Sequence, residues 1–220
     1  MDDQKILVLT GASRGIGHAT VKRFSIAGWR VITCSRHSFP ENCPWEAGPE
    51  DHLQIDLSSP EDVSRGAAEL LTRLDGKPLH ALVNNAAISP KTSDGSRLDC
   101  HKTSLDLWQH VYQVNVFAPI ILAQKLCDSL GEGDGSIVNV TSIAGSRVHE
   151  YAGSAYATSK AALSALTREM ASDFGRLGIR VNAIAPGEIK TDILSPDSEA
   201  TIIPKIPLGR FGNADEVADT

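Results

Sequence analysis

Cysteine is scarce and scattered. Cys34, Cys43, Cys100 and Cys127 form no Cys-x-x-Cys pair in a chain of 220 residues, which argues against a disulfide scaffold or a cysteine-based zinc site. No basic run is present and the net charge is -6, so nucleic acid is not expected as a partner. No apolar stretch approaches the ~20 residues of a membrane span. The N-terminus, MDDQKILVLTGAS, opens on acids where a secretory signal carries bases. These absences point to a cytoplasmic protein with reduced thiols and no membrane partner. The seven histidines, His101, His110 and His149 among them, show no ligand spacing; they read as surface or packing residues, and no metal is expected. There is no internal repeat, low-complexity segment or dividing linker, so a single domain over residues 1–220 is expected. What the chain does have, 41% hydrophobic and 22% charged residues, is the balance of a soluble globular protein.

Short apolar runs alternate with helical patterns. Strands are expected at Lys5–Thr10, Arg30–Cys34, Leu53–Ile55, Leu79–Val83, Ser136–Val140 and Ile179–Ala185. Between them lie a helix from Gly15 to about Gly28, one that starts at Ser59-Pro60-Glu61-Asp62 and runs to about Leu74, a long one from Leu105 to about Leu130, and one ending near Gly175. Residues 37–52 and 88–103 read as loops, residues 188–210 as a mobile flap, and Asn213-Ala-Asp-Glu-Val as the start of a last helix. Such alternation builds an α/β fold, a doubly wound parallel sheet covered by helices on both faces.

Gly11-Ala-Ser-Arg-Gly15-Ile-Gly17 follows the first strand and opens the first helix. Its glycines permit a tight turn and the close approach of a phosphate, and the helix N-terminus beyond favours an anion. A lone glycine pattern is a weak signal; this position between strand and helix strengthens it. An acid at the end of the second strand would bind an adenosine ribose and suit NAD. Cys34-Ser35-Arg36-His37-Ser38 holds none. Arg36, with Arg14 in the glycine turn, instead suits a 2′-phosphate, so NADP(H) is the expected dinucleotide, with NAD(H) as the alternative. The plain reading of both arginines is solvated surface charge.

Tyr156-Ala-Thr-Ser-Lys160 precedes a run of helix formers, so the phenol and the ammonium share one helix face one turn apart. A cation beside a phenol lowers its pKa from about 10 towards the range where acid–base catalysis works. Taken alone, the pair reads as an ordinary feature of an amphipathic helix, since such spacings are common by chance.

Together the motifs identify a family. Thr10-Gly11-Ala-Ser-Arg-Gly15-Ile-Gly17, Asp56-Leu57, Asn84-Asn85-Ala86-Ala87, Asn115, Ser142, Tyr156-x-x-x-Lys160 and Pro186-Gly187 with Thr191 resemble, in order and over nearly the whole chain, those of the short-chain dehydrogenases/reductases. Ile206-Pro-Leu-Gly-Arg-Phe-Gly212 resembles the segment before the last helix in 3-oxoacyl-[acyl-carrier-protein] reductases. The resemblance implies a three-layer Rossmann-type fold, hydride exchange between NADP(H) and a carbonyl or alcohol, and a homotetramer or homodimer joined through the helix of residues 105–130 and the Tyr156 helix. It assigns proton transfer to Tyr156, orientation of the carbonyl oxygen to Ser142, and the nicotinamide ribose and a lowered Tyr156 pKa to Lys160. Asn115 would help bind a water linking Lys160 to solvent. Gly11, Ser13, Arg14, Gly15, Ile16 and Gly17 would cradle the pyrophosphate. Arg36, Asp56, Leu57, Asn84 and Ala86 would hold the adenosine half, and Pro186, Gly187, Ile189 and Thr191 the nicotinamide half.

The chain departs from the pattern in three places. Ala87 stands where the family usually has glycine, and the Ser142–Tyr156 spacing is one residue longer than the commonest. The chain halts at Thr220, before the family's seventh strand, so either the sequence is truncated or an edge strand is lacking. Residues 88–103, 143–155 and 188–210 would shape the substrate pocket, with Trp108, Glu150 and Tyr151 as candidates to line it. The alternative functions are a non-catalytic nucleotide-binding regulator, or epimerase or dehydratase chemistry on the same scaffold.

Overall fold

The structure is a computed structural model that describes residues 4–38, 48–190 and 199–220. Strand β1 (Ile6–Thr10) is buried along its whole length, as its unbroken apolar run requires. It pairs in parallel with β2 (Arg30–Ser35) and β4 (Ala81–Asn84), with Val8 between Ile32 and Leu82. Strands β3 (His52–Gln54), β5 (Ser136–Val140) and β6 (Arg180–Ile184) complete a parallel sheet of six strands in the order β3-β2-β1-β4-β5-β6.

Side chains alternate across β1. Ile6 and Val8 enter one apolar cluster, with Val63, Leu70, Leu122 and Met170. Leu7 and Leu9 enter another, with Val21, Val31, Val83 and Val140. The period of two thus makes three layers from one strand. Helix α1 (Gly15–Ile26) covers the second cluster; α2 (Pro60–Leu74), α4 (Ala118–Lys125) and α6 (Ser154–Gly175) cover the first. The strand order reverses between β1 and β4, and an open parallel sheet has its crevice at that point, beyond the strands' carboxyl ends.

The expected helix from Leu105 to about Leu130 is interrupted. It consists of α3 (Leu105–Tyr112), a π-helical turn over Gln113–Phe117, α4, and α5 (Cys127–Glu132) after a break at Leu126. Pro119 accounts for the π turn: it has no N–H for the carbonyl of Asn115. The ladder widens instead, and the Ala118 N–H reaches back five residues to the Gln113 carbonyl. In residues 88–103, Lys91 and Arg97 form an isolated antiparallel bridge. The expected flap at 188–210 is partly structured, with a parallel bridge between Ile189 and Gly212, a short α7 (Glu199–Ile202) and a 3-10 turn at Ile203–Lys205. Helix α8 (Ala214–Ala218) begins on a capping box between Asn213 and Glu216. It packs on α1, where Arg23 meets Asp219 at 2.8 Å. No described helix is long and apolar enough to cross a membrane.

Candidate active site

A cleft of ≈ 640 Å³ opens at the carboxyl ends of the strands. Its nucleotide end is built on the glycine turn. Gly11 has φ +71 and lies so close to the β4 loop that a Cβ there would stand 2.8 Å from the Cα of Ala86. Asn85 braces the turn: its Nδ2 donates to the carbonyls of Thr10 at 3.1 Å and Gly11 at 2.9 Å, while its own N–H donates to Thr10 Oγ1 at 3.1 Å. Beyond the turn, Arg14 sits at the N-cap of α1, where no side chain caps the helix and no acid occupies the first turn. Uncapped first-turn amides facing a cleft are the donors a phosphate requires, so these residues fit a dinucleotide pyrophosphate.

Arg14, Arg36, Asp56 and Leu57 line the cleft with the turn. The Ser58 backbone and hydroxyl hydrogen bonds hold the Asp56 carboxyl below its ordinary range, and the Arg36 charge adds to this. Asn84 points elsewhere. It is buried and donates from Nδ2 to Asn139 Oδ1 at 2.9 Å, and Asn139 in turn donates to Thr167 Oγ1 at 2.9 Å. Asn85 and Ala87 border the cleft in its place. Gly17 is buried behind the turn, and Thr191 lies outside the described residues.

At the other end, Ser142 leaves β5 and Tyr156 lies in the first turn of α6, and both line the cleft. The Ser142 Oγ accepts from the Ala144 N–H at 3.1 Å, which orients it. Lys160 lies one turn below, its Nζ 5.7 Å from the Tyr156 ring centroid. That ammonium is buried and donates to the Val140 carbonyl at 2.6 Å. Burial pulls the Lys160 pKa down to about 8. The Tyr156 pKa moves up rather than down as expected from the helical pair. Burial raises it, the Ser142 hydrogen bond opposes the rise, and the charge of Glu188 adds to it.

Asn115 lies behind this pair, on the π turn. Its Oδ1 accepts from the Ile88 N–H at 2.9 Å, and its Nδ2 donates to the Ile88 carbonyl and to Ser159 Oγ, both at 3.0 Å. Ser159 donates in turn to the Tyr156 carbonyl at 2.7 Å. Asn115 thereby ties the loop after β4 to the turn that carries Tyr156.

Tyr151 lines the cleft, whereas Glu150 is exposed and pairs with Lys205 at 2.5 Å. Trp108 borders a separate groove. Sequence reasoning set His149 among the surface or packing residues and gave Glu188 no role of its own; in the structure the two are hydrogen-bonded, joining the loop before α6 to the segment after Pro186-Gly187 at the cleft. They lie 39 residues apart, and no local spacing links them.

Sheet order, glycine turn and uncapped helix define a dinucleotide-binding protein. The family model described as short chain dehydrogenase matches residues 5–201, and the chain belongs to that family, the NAD(P)-binding short-chain dehydrogenases/reductases. It is 61% identical to Protein FixR of Bradyrhizobium diazoefficiens, over 98% of this chain and 78% of that one. It is 32% identical to the 3-oxoacyl-[acyl-carrier-protein] reductase FabG of Aquifex aeolicus, over 98% of this chain and 87% of that one. A crystal structure of a short-chain oxidoreductase from Brucella ovis, in complex with a partially ordered NAD, is 60% identical and superposes with a TM-score of 0.84, over 98% of this chain and 90% of that one.

Proposed function

We infer that this chain transfers hydride between NADP(H) and a carbonyl or alcohol, with Tyr156 as proton donor in reduction and acceptor in oxidation. The observation that carries this reading is the convergence of Ser142, Tyr156 and Lys160 on one cleft, with the Lys160 ammonium buried and held on the Val140 carbonyl. The dinucleotide supplies the hydride. The protein supplies a proton to the carbonyl oxygen from Tyr156 and a second hydrogen bond to that oxygen from Ser142 as charge develops on it. Lys160 presents an ammonium to the nicotinamide ribose and, with a pKa near 8, can exchange the proton that Tyr156 gives up. Asn115 holds the wall behind them and, as in the family it resembles, helps bind a water on the proton's route to solvent. The test is NADPH oxidation against ketones, quinones and oxoacyl thioesters with Tyr156→Phe as control; full activity in that variant removes Tyr156 from the role.

The preference for NADP(H) rests on Arg14 and Arg36 in the cleft and on the absence of an acid at the end of β2. Arg36→Ala is expected to weaken NADPH binding roughly 10- to 100-fold, the worth of a charge-assisted hydrogen bond, and NADH binding by less than about threefold. Fluorescence titration with both cofactors measures this. Equal losses for the two would assign Arg36 to something other than the 2′-phosphate.

Self-association through the α3 face is part of the same reading. Leu105 is 70% and Phe117 48% exposed, and a groove of ≈ 470 Å³ runs past Trp108, Tyr112 and Phe117. Aromatic exposure of this kind favours a symmetric partner. A dimer or tetramer is expected in sedimentation, and Phe117→Glu is expected to shift it to monomer; an unchanged mass would place the interface elsewhere.

A further inference from the structure

The His149–Glu188 pair sits at the reacting end of the cleft and has no part in the proton transfer above. Its geometry is fixed from several sides. The Tyr151 N–H donates to His149 Nδ1 at 3.2 Å. A backbone N–H can only donate, so Nδ1 is a bare acceptor and the ring proton lies on Nε2, which donates to Glu188 Oε1. The imidazole is therefore neutral and the pair keeps the full negative charge of the carboxylate. The backbone of Glu188 is held as firmly. Its carbonyl accepts from the Gly212 N–H at 2.9 Å, the Lys190 N–H donates to the Gly212 carbonyl at 2.8 Å, and the Pro186 carbonyl accepts from the Ile143 N–H at 3.1 Å. Only 15% of the Glu188 side chain is exposed, and it borders the cleft. Among the described residues no hydrogen bond reaches its second oxygen, Oε2.

A molecule seated against Tyr156 strips water from that carboxylate. If it offers no donor, a charged oxygen is left desolvated and unpaired, which is strongly unfavourable. If it offers a hydroxyl, the lost water is replaced by a charge-assisted hydrogen bond. Glu188, Tyr151 and Tyr156 line the same cleft, and the Glu188 charge raises the Tyr156 pKa, which puts the donor on the reacting side of the substrate.

We propose that Glu188, oriented by His149, is a specificity-determining residue that accepts a hydrogen bond from a hydroxyl on the carbon next to the substrate carbonyl, so that the enzyme selects α-hydroxy carbonyl compounds and vicinal diols over plain ketones and alcohols. The proposal rests on the carbonyl-reductase reading of the same site. It assigns to Glu188 no covalent or proton-transfer step.

Matched pairs test it: butanone against acetoin, and cyclohexanone against its α-hydroxy derivative, with NADPH and NADH, in the wild type, Glu188→Ala and Glu188→Gln. The readout is the ratio of kcat/KM for the hydroxylated ketone to that for the plain one. Intrinsic reactivity cancels when this ratio is compared between proteins. In Glu188→Ala the ratio is expected to fall roughly 10- to 100-fold. Glu188→Gln keeps an acceptor oxygen and the hydrogen bond from His149, so its ratio falls less, by roughly three- to tenfold. A merely structural role for Glu188 would slow both members of a pair alike. An unchanged ratio in both variants, with Tyr156→Phe inactive on all four ketones, overturns the proposal and leaves the reductase reading standing. If no ketone is reduced, or Tyr156→Phe reduces them at the wild-type rate, the reductase reading falls and the proposal with it.

Discussion

Tyr156→Phe is expected to lower ketone reduction by roughly 10³-fold, within the range that a positioned general acid contributes. The substitution removes one oxygen from a half-buried ring that lies beside Lys160. NADPH affinity and thermal stability should therefore change little, and the loss should fall on kcat. The pH dependence follows from the direction of the Tyr156 shift. Burial and Glu188 raise its pKa above the ordinary phenol value, so the proton needed for reduction is present throughout the neutral range. Oxidation needs the phenolate, and its rate should climb as pH rises from neutrality towards that raised pKa. Steady-state rates of wild type and variant in both directions, with cofactor titration of each, check this. A variant that keeps within about tenfold of the wild-type reduction rate would show that another group supplies the proton.

Gly17→Ala is expected to be the most damaging single methyl group in the chain. A Cβ at that position would stand 2.0 Å from the Gly11 carbonyl oxygen, 2.7 Å from Asn85 Nδ2 and 2.8 Å from the Gly11 carbonyl carbon. Two of these are backbone atoms, and they have nowhere to go. The Gly11 N–H is held by the Cys34 carbonyl at 2.9 Å and its own carbonyl by Asn85 at 2.9 Å. Relief requires α1 to move off β1, which opens the second apolar cluster and spoils the glycine turn together. A loss of about 3 kcal/mol is expected, at the upper end for overpacking, with a fall in Tm on the order of 10 °C and much weaker cofactor binding. Gly175→Ala is the control. Nothing lies within 4 Å of a Cβ at that position, near the end of α6, so it should be neutral or stabilise by up to about 1 kcal/mol. Calorimetry and cofactor titration separate the two. Equal Tm values would mean that the turn yields more readily than its hydrogen bonds indicate.

Much of the fold is legible in local chemistry. The run Ile-Leu-Val-Leu before Thr10 is unbroken by a polar residue, as suits a short strand buried on both faces. Ser59-Pro60-Glu61-Asp62 announces α2, and the Ser59 hydroxyl does accept from the Asp62 N–H, at 3.1 Å. The Tyr156–Lys160 spacing places both groups on one face of α6, since a helix repeats every turn. The π turn around Asn115 was half visible: Pro119 forbids a regular hydrogen bond there, but the sequence does not say whether the chain kinks, breaks or widens.

Other features needed the assembled molecule. Asn84 and Asn85 are neighbours of the same type, and only the register of β4 against β1 and β5 sends Asn84 to Asn139 and Asn85 to the glycine turn. The direction of the Tyr156 shift depends on how much water the fold removes from the phenol, and on a carboxylate 32 residues further along the chain. His149 and Glu188 belong to two loops whose meeting is set by where β5 and β6 end. The sequence by itself determined what repeats locally: the strands, the helices, the glycine turn and the pairing of a phenol with an ammonium one turn away. Tertiary structure alone decided what those groups feel, because burial and the approach of distant charges are properties of packing rather than of spacing.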